Sequence, residues 1–477
     1  MGAEMLLEKS WEGFEQRVGG NIQHIYANGR SSQVIFGFPT AKKVGGLGLR
    51  DGLLNQDNLD HVNAFVSDSM VKGRLTLNLG VRFDRYRPWI PEQQQLAATV
   101  GPYTIPAVTF PETTFFYWNS VVPRVGVVYD LSGSGRSVLK LNYGLFRWNP
   151  GSGLADSANP NQASKTVTYA WNDVNGDRRW QPGEEGALLS TALAGTITVD
   201  PAIKQPYTHE VDVFFEQQLT STMGARVGFV YKYSDDLWQT YRPNRPIAAY
   251  SVPFPFTDIG PDGLSNTADD RVITLYGLPS AQAASFPLDN VIMNVPAFSR
   301  YRTIEAQVVR RSAGRWSAQM GGSFTWLHDF PEGYPNNPNE PFDEKRTRWD
   351  FKASGSYEAP WGIRLSPVLR HQAGPNFARL ISVPASAASA FGLIYSGTIY
   401  AERANARRQD HIWLVDIRAE KTVRFNDRTR LRLFFDLFNI TNSHAAETIS
   451  QTTGTGFLRP SAILAPRTAR LGFRFQW

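Results

Sequence analysis

The feature that most restricts this chain is a two-residue alternation that keeps returning. In the last eleven residues Ala469, Leu471, Phe473, Phe475 and Trp477 share one face, while Thr468, Arg470, Gly472, Arg474 and Gln476 share the other. Upstream, Leu75, Leu77, Leu79, Val81 and Phe83 oppose Thr76, Asn78, Gly80, Arg82 and Asp84. Leu431, Leu433, Phe435 and Leu437 oppose Arg430, Arg432 and Asp436, and Trp316, Ala318, Met320, Phe324 and Trp326 oppose Ser317, Gln319, Ser323 and Thr325. Period two means strands, whose successive side chains point to opposite faces. One such strand would close a soluble sheet equally well. Many, each apolar on one side and charged on the other, suit a wall between hydrocarbon and water.

Composition narrows this further. Across 477 residues no shift in composition marks a boundary between soluble domains, so one large architecture is expected. No apolar run reaches the roughly 18 residues of a helical span, whereas a barrel strand needs only about 9 to 11 alternating residues. Aromatic residues make up 13% of the chain, and Tyr86, Trp89, Trp118, Trp148, Trp238, Tyr241, Trp326, Trp349 and Trp361 fall near expected strand ends, as in a membrane-interface girdle. The net charge of +6 is scattered rather than gathered in a stripe, so no nucleic-acid partner is expected. The absence of cysteine removes disulfides and thiolate metal sites. Between Met1 and Arg17 the Met5-Leu6-Leu7 patch is flanked by Glu4 and Glu8, unlike a basic export signal.

Strands are expected near 20–27, 61–70, 73–86, 120–130, 137–147, 207–219, 223–233, 300–311, 315–328, 348–358, 361–371, 410–424, 428–439 and 466–477. That is about fourteen, or about sixteen if the first residues pair. Short turns at Val71 to Gly73, Ser132 to Gly135, Ser221 to Met223, Ser312 to Gly314, Ala359 to Pro360 and Asn426 to Asp427 alternate with long connections near 88–118, 148–206, 239–299, 329–347, 372–409 and 440–465. Short turns at one rim and long loops at the other define an all-β transmembrane antiparallel barrel, with periplasmic turns and extracellular loops.

The segment Leu431 to Asn442, Leu-Arg-Leu-Phe-Phe-Asp-Leu-Phe-Asn-Ile-Thr-Asn, followed by Arg467 to Trp477, resembles the end of TonB-dependent outer-membrane receptors. Gly73 to Asp84, Pro123 to Asp130 and Lys140 to Gly144 resemble earlier strands of the same family. The most similar group is the Oar-like receptors with a carboxypeptidase-regulatory-like N-terminal domain. The resemblance covers about residue 60 to the end. It implies a receptor-like barrel over 61–477, with 1–60 forming poorly matched first strands and a loop. Family barrels have about 22 strands around a plug. The plug and the segment that meets TonB have no counterpart here, so the chain is expected to be an N-terminally truncated barrel portion, reaching the TonB complex only through a plug that it lacks. The resemblance further implies outer-membrane lipid and the barrel assembly machinery as partners, with Phe473, Phe475 and Trp477 as assembly signal, and uptake of a siderophore, carbohydrate or peptide.

Two acidic loops are candidate calcium sites. Asp173, Asn175, Asp177 and Glu184 stand at relative positions 1, 3, 5 and 12 of a calcium-loop register, although Gly176 occupies the fourth position and Arg178 the sixth. The other cluster, Asp258, Asp262, Asp269 and Asp270, contains Gly260-Pro261 and Asp262-Gly263 turns able to fold four carboxylates together. Calcium is thus expected only as a structural ion, with no cofactor required. The alternative in both places is a solvated loop closed by Asx turns.

No enzyme is expected. Seven dispersed histidines include no His-Glu-x-x-His pair, and neither a Gly-x-Ser-x-Gly elbow nor a Walker loop occurs. Arg82, Asp84, Arg124, Asp130, Asp212, Glu216, Arg430, Arg432 and Asp436 should line a polar lumen, pairing among themselves or holding a plug. The aromatic runs Pro253 to Phe256, Phe330 to Tyr334 and Tyr395 to Tyr400 would stack on a sugar, grip a peptide, or pack on one another. A receptor barrel leads, ahead of a plugless diffusion pore and a barrel-anchored adhesive protein.

Overall fold

The computed structural model describes residues 2–16, 21–27, 30–37, 41–44, 55–95, 97–161, 166–192, 194–330, 344–426 and 428–477. Among these, sixteen strands form one sheet, and setting aside the short Ala41–Val44 and Thr113–Thr114 leaves fourteen long ones. In chain order they are β1 (Gly2–Gln16), β2 (Asn55–Lys72), β3 (Leu75–Ile90), β4 (Trp118–Asp130), β5 (Ser137–Arg147), β6 (Tyr207–Gln218) and β7 (Met223–Asp235). They continue as β8 (Phe298–Ala313), β9 (Trp316–Phe330), β10 (Glu344–Ala359), β11 (Ile363–Gln372), β12 (Ile412–Arg424), β13 (Arg430–Phe438) and β14 (Thr468–Gln476). Each long strand pairs antiparallel with the next in sequence, the up-and-down order of a transmembrane barrel wall.

Register puts the two halves of the sequence pattern on opposite sides of this wall. Leu77 faces Val127, which faces Leu141, which faces Val213, an unbroken apolar row on the outer surface. One residue along, Asn78, Gly126, Asn142 and Asp212 form a polar row on the inner surface. Exposure agrees: Phe229, Ile304 and Phe324 lie open on the outside, while Thr303 is fully buried on the inside.

Glycine has a specific use on the inner surface. A Cβ at Gly228 would sit 2.1 Å from Phe214 Cδ1, and one at Gly472 would sit 2.4 Å from Phe434 Cζ. Each ring lies over a bare patch of the neighbouring strand. Arg226 stacks on Phe214 at 3.8 Å and Arg418 on Phe434 at 4.7 Å, covering apolar rings with charge toward the lumen.

The periplasmic turns are closed by their own side chains. Asp130 accepts hydrogen bonds from the backbone N–H groups of Ser132, Gly133 and Gly135 at 3.1, 2.9 and 2.7 Å. Gly133 and Gly135 carry φ of +71° and +72°, a region disfavoured for residues with a Cβ. Asp130 is thus the clasp of this turn, at the end of the inner row.

Two expectations need correction. The segment expected near 20–27 is a strand, Asn21–Ala27, but it leaves the wall and joins Arg30–Gly37, Thr166–Trp171 and Glu185–Ala192 in a separate four-stranded sheet. The wall's first long strand is instead β1, paired with β2 from Gly2↔Ser67 to Phe14↔Asn55; its adjacent Met5, Leu6 and Leu7 break the sequence alternation. The expected aromatic girdle also divides. Trp326 and Trp361 are exposed, as a boundary ring should be, but Tyr86 and Trp118 are 5% exposed in a core beneath the loops.

Candidate functional site at the extracellular face

The long connections carry cores of their own, which explains how they stay ordered without a surrounding domain. Near the first half of the wall, Leu59, Tyr86, Phe116, Trp118, Leu154 and Ile203 pack into one cluster, and Trp118 Nε1 donates to the Ile203 carbonyl at 2.8 Å. Asn159 is buried beside it, its amide donating to Asp57 at 2.9 Å and to Gln93 at 3.2 Å. Burying each large side chain here contributes about 1.5 to 3 kcal/mol.

A second cap joins loops that are far apart in sequence. The hairpin of Val252–Asp258 and Arg271–Pro279 contributes Phe254 and Leu275. The connection after β11 contributes Ile381, Val383, Leu393, Tyr395 and Ile399, and Arg271–Pro279 pairs directly with Leu393–Ile394. The connection before β14 is tied in by backbone: Leu380 N–H donates to Gln451, and Thr453 N–H donates to Leu380.

At the centre of this cap is a buried ion pair. Asp258, 0% exposed, receives Arg379 Nη1 and Nη2 at 2.7 and 2.6 Å, one on each carboxylate oxygen. Arg271 Nε reaches the same carboxylate at 2.9 Å and its Nη2 donates to the Ala401 carbonyl. Arg379 also donates to Thr453 Oγ1 at 2.6 Å, so three loops meet on one guanidinium. Burial alone would raise the Asp258 carboxyl, but hydrogen bonds from Arg379 and Arg271 outweigh it and hold the group below its ordinary value. Glu402 behaves alike: burial opposes ionisation, and the Arg407 side chain with the Arg379 N–H holds its carboxyl low.

The acidic residues singled out from sequence are placed as follows. Asp173 accepts from Gly176 N–H at 2.8 Å and Arg178 N–H at 2.9 Å, Asn175 Oδ1 from Asp177 N–H at 2.9 Å, and Asp177 from Arg179 N–H at 2.8 Å. Glu184 turns inward, accepting from Trp171 Nε1 and the Val174 and Gln181 N–H groups. In the other loop Asp262 accepts from Leu264 N–H, Asp269 and Asp270 share the Thr267 hydroxyl, and Asp258 leaves them for the arginines. Among the described residues no three His, Asp or Glu side chains converge as a metal-binding group. Phe473, Phe475 and Trp477 are 72%, 47% and 86% exposed at the end of the chain.

Sequence reasoning flagged Asp258 but missed Arg379, Arg271 and Thr453, because no spacing links residues on three separate loops. Of the aromatic runs, Phe254 and Tyr395 pack against each other at 6.3 Å between ring centroids, and residues 331–334 lie outside the described ones. The lumenal charges largely satisfy one another. His61 and Arg82 share Asp84, with His61 Nε2 at 2.8 Å; Lys140 pairs with Glu216 at 2.8 Å. Asp436 on β13 is clamped from both neighbouring strands by Arg418 and Arg470, each at 2.6 Å.

A lipid-facing outer surface, a paired polar inner surface and loops gathered at one rim define an integral outer-membrane β-barrel. A family model described as an outer membrane beta barrel domain matches residues 50–375, and the chain belongs to that family. It is a protein of the bacterial outer membrane. Similar solved structures include the FrpB iron transporter from Neisseria meningitidis (F3-3 variant), at 11% identity and TM-score 0.47, covering 99% of this chain and 55% of that one. Others are the Pseudomonas aeruginosa ferripyoverdine receptor (12%, TM-score 0.45, covering 100% and 48%) and the ferric-catecholate import receptor Fiu from E. coli (12%, TM-score 0.47, covering 100% and 55%). The chain spans about half the length of these structures. No curated protein matches it.

Proposed function

We propose that this chain is the barrel portion of a TonB-dependent receptor that captures a solute at the cell surface and imports it with energy from the inner membrane. The observation that carries this reading is the cored cap, in which three long loops meet on the Asp258–Arg379 pair at the long-loop rim of the wall. Loops joined by a core and an ion pair hold a fixed surface, and a receptor needs a surface that keeps its shape for a ligand. The resemblance of Leu431 to Asn442 and of the final strand to that family supports the same reading. The parent protein would then carry a plug, held by inward charges such as Arg124, Asp212 and Arg432, and assembly would use the final aromatic strand. No catalysis is part of this reading. Siderophore, oligosaccharide and peptide remain equal ligand classes under it.

The test uses the protein as its cell makes it, in native outer membranes. Uptake of a panel of ferric siderophores and maltodextrins should depend on this protein and stop when a protonophore collapses the proton gradient. Purified protein in liposomes should pass neither arabinose nor glucose. Protonophore-insensitive sugar flux would overturn the reading in favour of a pore.

A further inference from the structure

The outer surface of the wall carries a second site, facing the membrane rather than the lumen. Phe229 on β7, Ile304 on β8 and Trp326 on β9 are 39%, 45% and 41% exposed and form an apolar floor. Following the same face of β8 toward the long-loop rim, the next residues are Arg302 and Arg300, with Lys345 on β10 beside them in register. Together they line a hollow of about 560 Å³.

Cations on this face need an explanation. A charged residue on the lipid side of a barrel is destabilising, most at the midplane and less toward the interface, unless something neutralises it. Among the described residues neither Arg300 nor Arg302 pairs with a carboxylate. Arg300 stacks on Phe298 at 4.7 Å and lies 5.6 Å from the Tyr233 ring, Arg302 lies 5.9 Å from Tyr231, and the Arg300 Nε is buried with no hydrogen-bond partner. Asp235, on the same face, is engaged by the Tyr233 hydroxyl at 2.7 Å. A guanidinium stacked on a ring keeps its in-plane N–H groups for an anion.

An apolar floor below, with one guanidinium stacked on Phe298 and a second beside it above, describes the two ends of an anionic amphiphile standing in the outer leaflet. We propose that this hollow binds a lipid with a phosphate-bearing headgroup, the phosphate on Arg300 and Arg302 and an acyl chain along Phe229, Ile304 and Trp326. Phosphate is the headgroup chemistry that matches an arginine fork bidentately. The site is independent of any transported solute, because it lies on the opposite side of the wall from the lumen.

Native mass spectrometry of the full detergent-solubilised protein tests this, with bisphosphorylated lipid A as probe and its dephosphorylated form and inorganic phosphate as controls. The phosphorylated lipid should bind. The paired variant Arg300→Gln with Arg302→Gln should weaken it by about tenfold or more, as expected for losing charge-assisted hydrogen bonds. Arg310→Gln, on the same outer face near the periplasmic turn, should leave binding unchanged. Heat-modifiable gel mobility reports folding, and if the Gln pair fails to fold, Arg302→Gln alone is read in its place. Equal binding of the dephosphorylated lipid, equal competition by inorganic phosphate, or an unaffected Gln variant would overturn the proposal.

Discussion

Arg379 lays both terminal nitrogens on the two carboxylate oxygens of Asp258, 121 residues away in sequence, inside a loop cap where neither side chain is more than 6% exposed. Removing one partner of such a pair leaves the other charged and buried, at a cost of about 3 to 5 kcal/mol. Arg379→Met should therefore loosen the cap without unfolding the wall. Limited proteolysis of intact cells should show new cleavage in 252–279 and 376–408, with barrel heat-modifiability retained. Unchanged cleavage would mean that the apolar cluster alone holds the loops.

The same pair gives the cap a pH dependence with a definite sign. The Asp258 carboxyl is held below its ordinary value of 3.8, so its folded form binds protons less readily than its unfolded form. Its stabilisation is complete above that ordinary value and is lost as pH falls through the lower folded value. Acid protease should begin to nick the cap only below about pH 4. In Asp258→Asn, nicking should keep only the weaker pH dependence that Glu402 contributes, its carboxyl being held low by Arg407 and the Arg379 N–H.

Gly472 and Gly228 should tolerate no side chain. Gly472→Ala places a Cβ where Phe434 now lies, and overpacking of this kind costs about 1 to 3 kcal/mol. Its urea unfolding midpoint should fall, and Phe434→Leu in the same chain should restore part of the loss. Absence of any rescue would show that the damage is to the backbone and not to the ring.

The two faces of β3 should respond oppositely to the same substitution. Leu79→Arg puts a cation on the lipid side, at a cost of about 2 to 4 kcal/mol near the midplane, while Asn78→Arg adds one to the polar side at little cost. Folding into lipid vesicles, followed by tryptophan fluorescence, should separate them clearly. Equal effects would invalidate the register.

The acidic turn at 173–184 is closed by backbone N–H groups on the Asp173 and Asp177 carboxylates. Protease protection of this loop should therefore be the same in chelator and in calcium. A calcium-dependent gain would show that the turn opens to bind the ion.

How much of this could be read from the sequence differed by region for a physical reason. The wall was legible because each strand faces two solvents, so β13 and β14 show their period residue by residue, and the turns show through Ser132 to Gly135 and through Asn426, whereas Asp130, expected in the lumen, proves to clasp its turn. β1 was anticipated only as pairing of the first residues and given no bounds, because Met5, Leu6 and Leu7 break the alternation. Asn21–Ala27 was misplaced because its alternation fits a strand of any sheet. The caps were not legible. Phe254 and Tyr395 look equally like ligand contacts or core, and only the fold brings them together. The Asp258–Arg379 pair lies on separate loops, which no local pattern can join.

The three-loop cap also decides what an outside agent can recognise on this cell. An antibody or phage tail touching it meets a mosaic of three chain segments, stitched by Arg379 and by the Leu380 to Thr453 backbone bonds. Peptides copied from any one loop would not reproduce that surface, and changes in one segment would be felt across the other two.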